Sequence, residues 1–288
     1  MTFDYQKIKH WPIAPFTEQY SAADTVKFAR GIGAGLAPRY AKAEQCFLAD
    51  SPVALPMMAV ILGAEGALWT NDPATGIDWK KMLHAEESVT LHRPLPAAAT
   101  ITTQFSVDEI YDKGADKGAL MIESATLADA SGDLIATVAV TMFLRGNGGC
   151  GGATGSPPAP RTVPGDRAPD IVIDLPTPRE EDAIYKLPDV FAVASQNTSH
   201  NNSAAKKQSM LRGVCCFGLA GRALILGVAE GNAPRLRHLR LRYTGPVFTD
   251  ETLRTEIWAL AANQFAFRVS SVERSSVVMN NGFAELNP

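Results

Sequence analysis

Cysteine is scarce in this sequence: Cys46, Cys150 and the adjacent Cys215 and Cys216 are all that 288 residues contain. None has Cys-x-x-Cys spacing, which argues against a disulfide framework and against a zinc site. Charge of one sign is not in excess either. The formal net charge is −3 and the basic residues are spread along the chain, which excludes the clustered basic surface of a nucleic-acid binder. No apolar run approaches the ~18 residues of a membrane span. The opening MTFDYQKIKHWPIAPF has no apolar stretch behind a basic start, so a chain that is not secreted is expected. The N-x-S sequons at Asn197 and Asn201 are then chance occurrences. One local absence stands out: from residue 193 to residue 224 there is no carboxylate at all.

What is present suits two domains with proper cores, since 46% of the residues are hydrophobic and 20% charged. The clearest shift in composition is GNGGCGGATGSPPAPRTVPGDRAPD, residues 146 to 170, where glycine and proline mark a linker. The expected division is an N-terminal domain over 1–149, a linker over 150–182 and a C-terminal domain over 183–288. In the first part, SAADTVKFARGIGAGL reads as a capped helix ending in glycines. Its G-x-G-x-G run closes a helix instead of opening one after a strand, so it lacks the context of a dinucleotide site. PMMAVILGAEGALW predicts a second, buried helix. ESVTLHRPL, TITTQFSVDEIYDKG, GALMIESATLAD and LIATVAVTMFLRG then predict an antiparallel meander.

The second part repeats the plan. GVCCFGLAGRALILG predicts an apolar helix in which Cys215 and Cys216 act as small buried hydrophobes. RLRHLRLRYTG follows with Leu239, Leu241 and Tyr243 on one face, and then TLRTEIWALAA, FAFRVSSVE and SSVVMNNGFAEL. A helix wrapped by a curved antiparallel sheet, used twice, accounts for this repetition.

HAEESVTLHRPLP, YDKGADKGALMIES, FLRGNGGCGG, PGDRAPDIVIDLPT, IYKL and RGVCCFGLAGRAL together resemble the MaoC-like, type 2 enoyl-CoA hydratases over nearly the whole chain. The resemblance implies an α+β double hot-dog fold, with an N-terminal half that accommodates the acyl chain and a C-terminal half that carries the hydratase motif. It implies (R)-specific hydration of trans-2-enoyl-CoA in fatty-acyl metabolism. The CoA thioester is then the substrate and neither metal nor organic cofactor is required. A homodimer is expected on base rates. The C-terminal AELNP lacks a peroxisomal S-K-L address, leaving peroxisome and cytoplasm both open.

The family motif Y-x-L-S-G-D-x-N-P-L-H-x-D-P begins correctly at Tyr185-Lys186-Leu187 and then departs. Without gaps, the motif's Asp, Asn and His fall on Val190, Ala192 and Ser195. A compensated shift instead matches Asn197 and His200 to the family's Asn and His, with Ser195 in place of the Asp and Asn202 in place of the second acid. In either register Arg212 stands where the family's L-H-G segment has its histidine. Gly213 matches that segment's glycine, whose N–H at a helix N-terminus suits an oxyanion hole. It equally suits a tight turn into a packed helix. Glu86, in His84-Ala85-Glu86-Glu87, looks like the acid of the family's H-G-E-Q segment and reads as a positioning acid or as half of a salt bridge with His84. The candidate site is therefore His200, Asn197 and Ser195, with Gly213, Arg212 and Glu86 binding substrate. The alternative is an acyl-CoA-binding homologue that has lost the Asp/His pair.

Overall fold

The computed structural model describes residues 3–179 and 208–288. Among the described residues, ten strands form one antiparallel sheet: β1 (Phe16–Tyr20), β2 (Met82–Leu91), β3 (Ala99–Asp112), β4 (Ala119–Asp129), β5 (Leu134–Leu144), β6 (Ile171–Pro176), β7 (Leu236–Tyr243), β8 (Thr252–Ala261), β9 (Gln264–Ser271) and β10 (Ser276–Leu286). Their order is β1-β3-β4-β5-β2-β7-β10-β9-β8-β6. Read outward from the central β2–β7 pair, the two halves have the same order, as a duplication requires. Alternation explains the strands. In β3, Ile101, Thr103, Phe105 and Val107 are buried while Gln104, Ser106 and Asp108 are exposed, the period-2 pattern of a sheet with one face on the core.

Four α-helices are described: α1 (Tyr5–Lys9), α2 (Ala22–Gly31), α3 (Ala41–Glu44) and α4 (Gly213–Gly227). The expected cap of α2 is a reciprocal capping box between Ser21 and Asp24. Helix α4 buries every residue from Cys215 to Ile225, as a helix that is apolar on every side but for Arg222 should. Burying Phe217, Leu219, Leu224 and Ile225 contributes about 1.5–3 kcal/mol each. No described helix is long and apolar enough to cross a membrane.

Three sequence expectations need correction. The helix expected over PMMAVILGAEGALW is two short 3₁₀ segments, Pro56–Ile61 and Gly66–Asn71, so among the described residues only the second half carries a long central helix. The break falls at Gly63, whose φ is +79° and where a Cβ would lie 2.5 Å from Thr103 Cβ. Gly63→Ala is accordingly expected to cost about 2–4 kcal/mol in urea denaturation, left-handed strain and overpacking together. A loss below 1 kcal/mol would contradict this reading of the break. Secondly, part of the stretch read as linker is folded, since Ile171–Pro176 forms β6 and pairs with β8. The glycine-rich stretch before it is also built, because the Asp112 carboxylate accepts the N–H groups of Gly114, Gly149 and Gly151. Thirdly, β1 gave no sequence signal and pairs with β3 at one sheet edge.

Candidate active site

Ser195, Asn197, His200 and Asn202, like Tyr185 and Val190, lie outside the described residues. What the structure places is the other half of the expected site, the start of α4 and the strands beneath it. Arg212 is the N-cap, in extended conformation, and its carbonyl accepts the N–H groups of Cys215 and Cys216 at 3.0 and 3.2 Å. The amides of Gly213 and Val214, first in the helix, have no partner carbonyl within it. They form the positive end of the helix dipole. The close-packing reading of Gly213 is the one this contact supports, because a Cβ there would come within 3.2 Å of Tyr243 Cζ and the helix could not approach β7 so closely.

Beneath this helix end, β2 and β7 run antiparallel with Glu87 opposite Leu241 and Glu86 opposite Arg242. Opposed residues share a face and neighbours alternate. Glu87, Leu241 and Tyr243 therefore face α4, whereas Glu86 and Arg242 face the other side of the sheet. Glu86 accepts from Arg240 Nη2 at 2.6 Å and Arg242 Nε at 2.8 Å. Its burial favours the neutral acid, but the hydrogen bonds and charges of the two arginines outweigh that and hold its carboxyl below the usual range. So Glu86 is an ionised partner of Arg240 and Arg242 on the far side of the sheet from Gly213. The residue that faces the helix is its neighbour.

Glu87 is almost fully enclosed, with 1% of its side chain exposed. Burial pushes its carboxyl up, against the lowering effects of the His84 charge and the Tyr243 hydrogen bond. The Tyr243 hydroxyl is 2.5 Å from Glu87 Oε2 and 2.9 Å from the Gly213 carbonyl oxygen. His84 packs edge-on against the Tyr243 ring, centroids 5.0 Å apart, with Nε2 3.9 Å from Glu87 Oε2. That Nε2 is buried and makes no hydrogen bond to any described residue. The partner of His84 is thus Glu87 and not Glu86. Cys215 and Cys216 are buried as expected, and burial pushes the Cys215 thiol up to about 12, which leaves it without nucleophilic character at neutral pH.

Comparison with known proteins fits this geometry. A profile described as the MFE-2 hydratase 2 N-terminal domain matches residues 19–146, and one described as a MaoC-like domain matches residues 201–281. A Mycobacterium tuberculosis protein named 3-hydroxyacyl-thioester dehydratase Y is 34% identical over 94% of each chain. The chain belongs to the MaoC-like, type 2 enoyl-CoA hydratase family. Another relative in this family, a probable enoyl-CoA hydratase 2 of Dictyostelium discoideum, is 28% identical over 100% of this chain and 98% of its own. The crystal structure of a MaoC-like dehydratase from Phytophthora capsici superposes with a TM-score of 0.78 at 26% identity, covering 99% of this chain and 98% of the other. The mirrored strand order about β2–β7 is the double hot-dog fold of this family. The MaoC-like match starts at residue 201, just beyond Ser195, Asn197 and His200.

Proposed function

We propose that this chain is a hydro-lyase that adds water to a trans-2-enoyl-CoA to give the (R)-3-hydroxyacyl-CoA, and catalyses the reverse dehydration. The observation that carries the reading is the start of α4. Two first-turn amides and a helix dipole lie against the β2–β7 pair that joins the halves of a chain related end to end to proteins named as hydratases and dehydratases. Attack of water at the β-carbon moves electrons onto the thioester oxygen, and amides at a helix N-terminus stabilise that charge without reorganising. A base must activate the water and an acid must protonate the α-carbon. His200 takes the base role, with Asn197 and Ser195 holding the water and substrate, and Arg212 beside the thioester. Groups of this kind suffice without metal or organic cofactor. A location in the cytoplasm or a peroxisome and assembly as a homodimer belong to the same proposal.

One observation favours a second reading, an acyl-CoA-binding homologue with impaired chemistry: Ser195 stands where the family motif has Asp, and no carboxylate occurs from residue 193 to residue 224. An assay following loss of enoyl absorbance with short- and medium-chain trans-2-enoyl-CoA separates the two. Turnover that falls about 10²–10⁴-fold in His200→Ala is the expected result for a lost general base. Binding of enoyl-CoA without turnover would instead make the chain a binder.

A further inference from the structure

The Tyr243 hydroxyl lies between two oxygens but carries one hydrogen. The Gly213 carbonyl oxygen, 2.9 Å away, can only accept. If Tyr243 gave its hydrogen to an ionised Glu87, the Gly213 contact would be an unbonded approach of two oxygens in a buried place, and Glu87 would be a buried anion with no hydrogen-bonded cation among the described residues. A proton on Glu87 removes both problems. Among the described residues, the groups facing Glu87 are His84 on its own strand, Tyr243 from β7 and the Cys216 thiol from α4. Apart from His84, whose Nε2 stays 3.9 Å away, none of them is cationic. Burial works in the same direction.

Building on the hydratase reading, we propose that Glu87 and Tyr243 are positioning residues for it: a protonated Glu87 donates to the Tyr243 hydroxyl, and Tyr243 donates to the Gly213 carbonyl, fixing the first turn of α4. The Gly213 carbonyl and the Val214 N–H belong to one peptide plane, so a donor on the former aims the latter. The Tyr243 ring, packed against the Gly213 Cα, sets how far the turn can move. The two amides offered to the thioester oxygen are thereby held by side chains that need not touch the substrate. A carboxylic acid kept neutral by its surroundings is a better device for this than a carboxylate, because it can donate.

The test uses the full chain with a 2,4-dienoyl-CoA, whose absorbance moves to longer wavelength when its carbonyl is polarised, alongside hydration kinetics. Tyr243→Phe keeps the ring and loses the donor. It is expected to bind the dienoyl-CoA within about threefold of wild type, to lose most of the spectral shift, and to lower kcat about 10- to 100-fold with KM little changed. Glu87→Gln, whose amide still donates to Tyr243, should retain the shift, and Glu87→Leu should lose it. A Tyr243→Phe protein with shift and kcat intact overturns the proposal. So does Glu87→Gln behaving like Glu87→Leu, since ionised Glu87 would then be what matters. A wild type that shifts the spectrum but never turns over rejects the hydratase reading and leaves the positioning of the amides supported. A wild type that binds no dienoyl-CoA overturns both.

Discussion

Arg222→Met is expected to lower stability by about 3–5 kcal/mol, the cost of leaving one partner of a buried ion pair uncompensated. Arg222 is 1% exposed and Glu44 0%. The arginine reaches from the middle of α4 with Nε 2.8 Å from Glu44 Oε1, and its Nη1 donates to the Ile32 carbonyl at 2.5 Å. Glu44 Oε2 also accepts the Gly35 N–H at 2.8 Å. One pair thus ties α4 to α3 and to the glycine turn after α2. Urea denaturation of Arg222→Met should show the loss, and Arg222→Met with Glu44→Leu should recover much of it, because the uncompensated charge has gone too. A single-variant loss below 1 kcal/mol would show that water reaches the pair.

The second large effect concerns pH. Glu123, on the core face of β4, accepts the Trp69 indole N–H at 2.6 Å. Burial pushes its carboxyl up to about 7, with the Trp69 bond pulling down and Asp108 pushing up. An unfolded chain releases this proton near the ordinary 4.5, so between pH 4.5 and 7 the folded state holds one proton more. Stability therefore falls as pH rises through that window. Over roughly 2.5 pH units, at about 1.4 kcal/mol each, the change is about 3 kcal/mol. Glu123→Gln keeps the acceptor for Trp69 and cannot ionise. Relative to wild type it should gain about 3 kcal/mol between pH 4 and pH 8. An equal difference between the two proteins at both pH values would mean that Glu123 releases its proton in the fold as it does in the unfolded chain.

Particular residues show why some of the structure was legible in the sequence and some was not. Leu239, Leu241 and Tyr243 mark one face of β7 by alternation alone, and the same signal located the meander strands of both halves. β1 and β6 are five and six residues long and sit at the sheet edges, too short to show a period. The apolar run from Pro56 has no period either, and whether it coils depended on Thr103, which is distant in sequence and packs against Gly63. The glycine expected to open an apolar helix does so, since Gly213 begins α4. The H-G-E-Q resemblance points to Glu86, whereas Glu87 is the residue on the helix face of β2, a strand with a bulge between His84 and Glu86 that no count of residues reveals. The alternation that placed Tyr243 with Leu241 was the available signal for the missed Glu87–Tyr243 pair, but it needed the strand partner to become visible.

The central claim is that this chain hydrates enoyl thioesters, and the most direct measurement is product analysis. Purified protein is incubated with trans-2-enoyl-CoA in ¹⁸O-labelled water, and the 3-hydroxyacyl-CoA is resolved by chirality. Label at the 3-hydroxyl and the (R) enantiomer alone are the predicted result. Enoyl-CoA recovered unchanged although bound, or the (S) product, would contradict it.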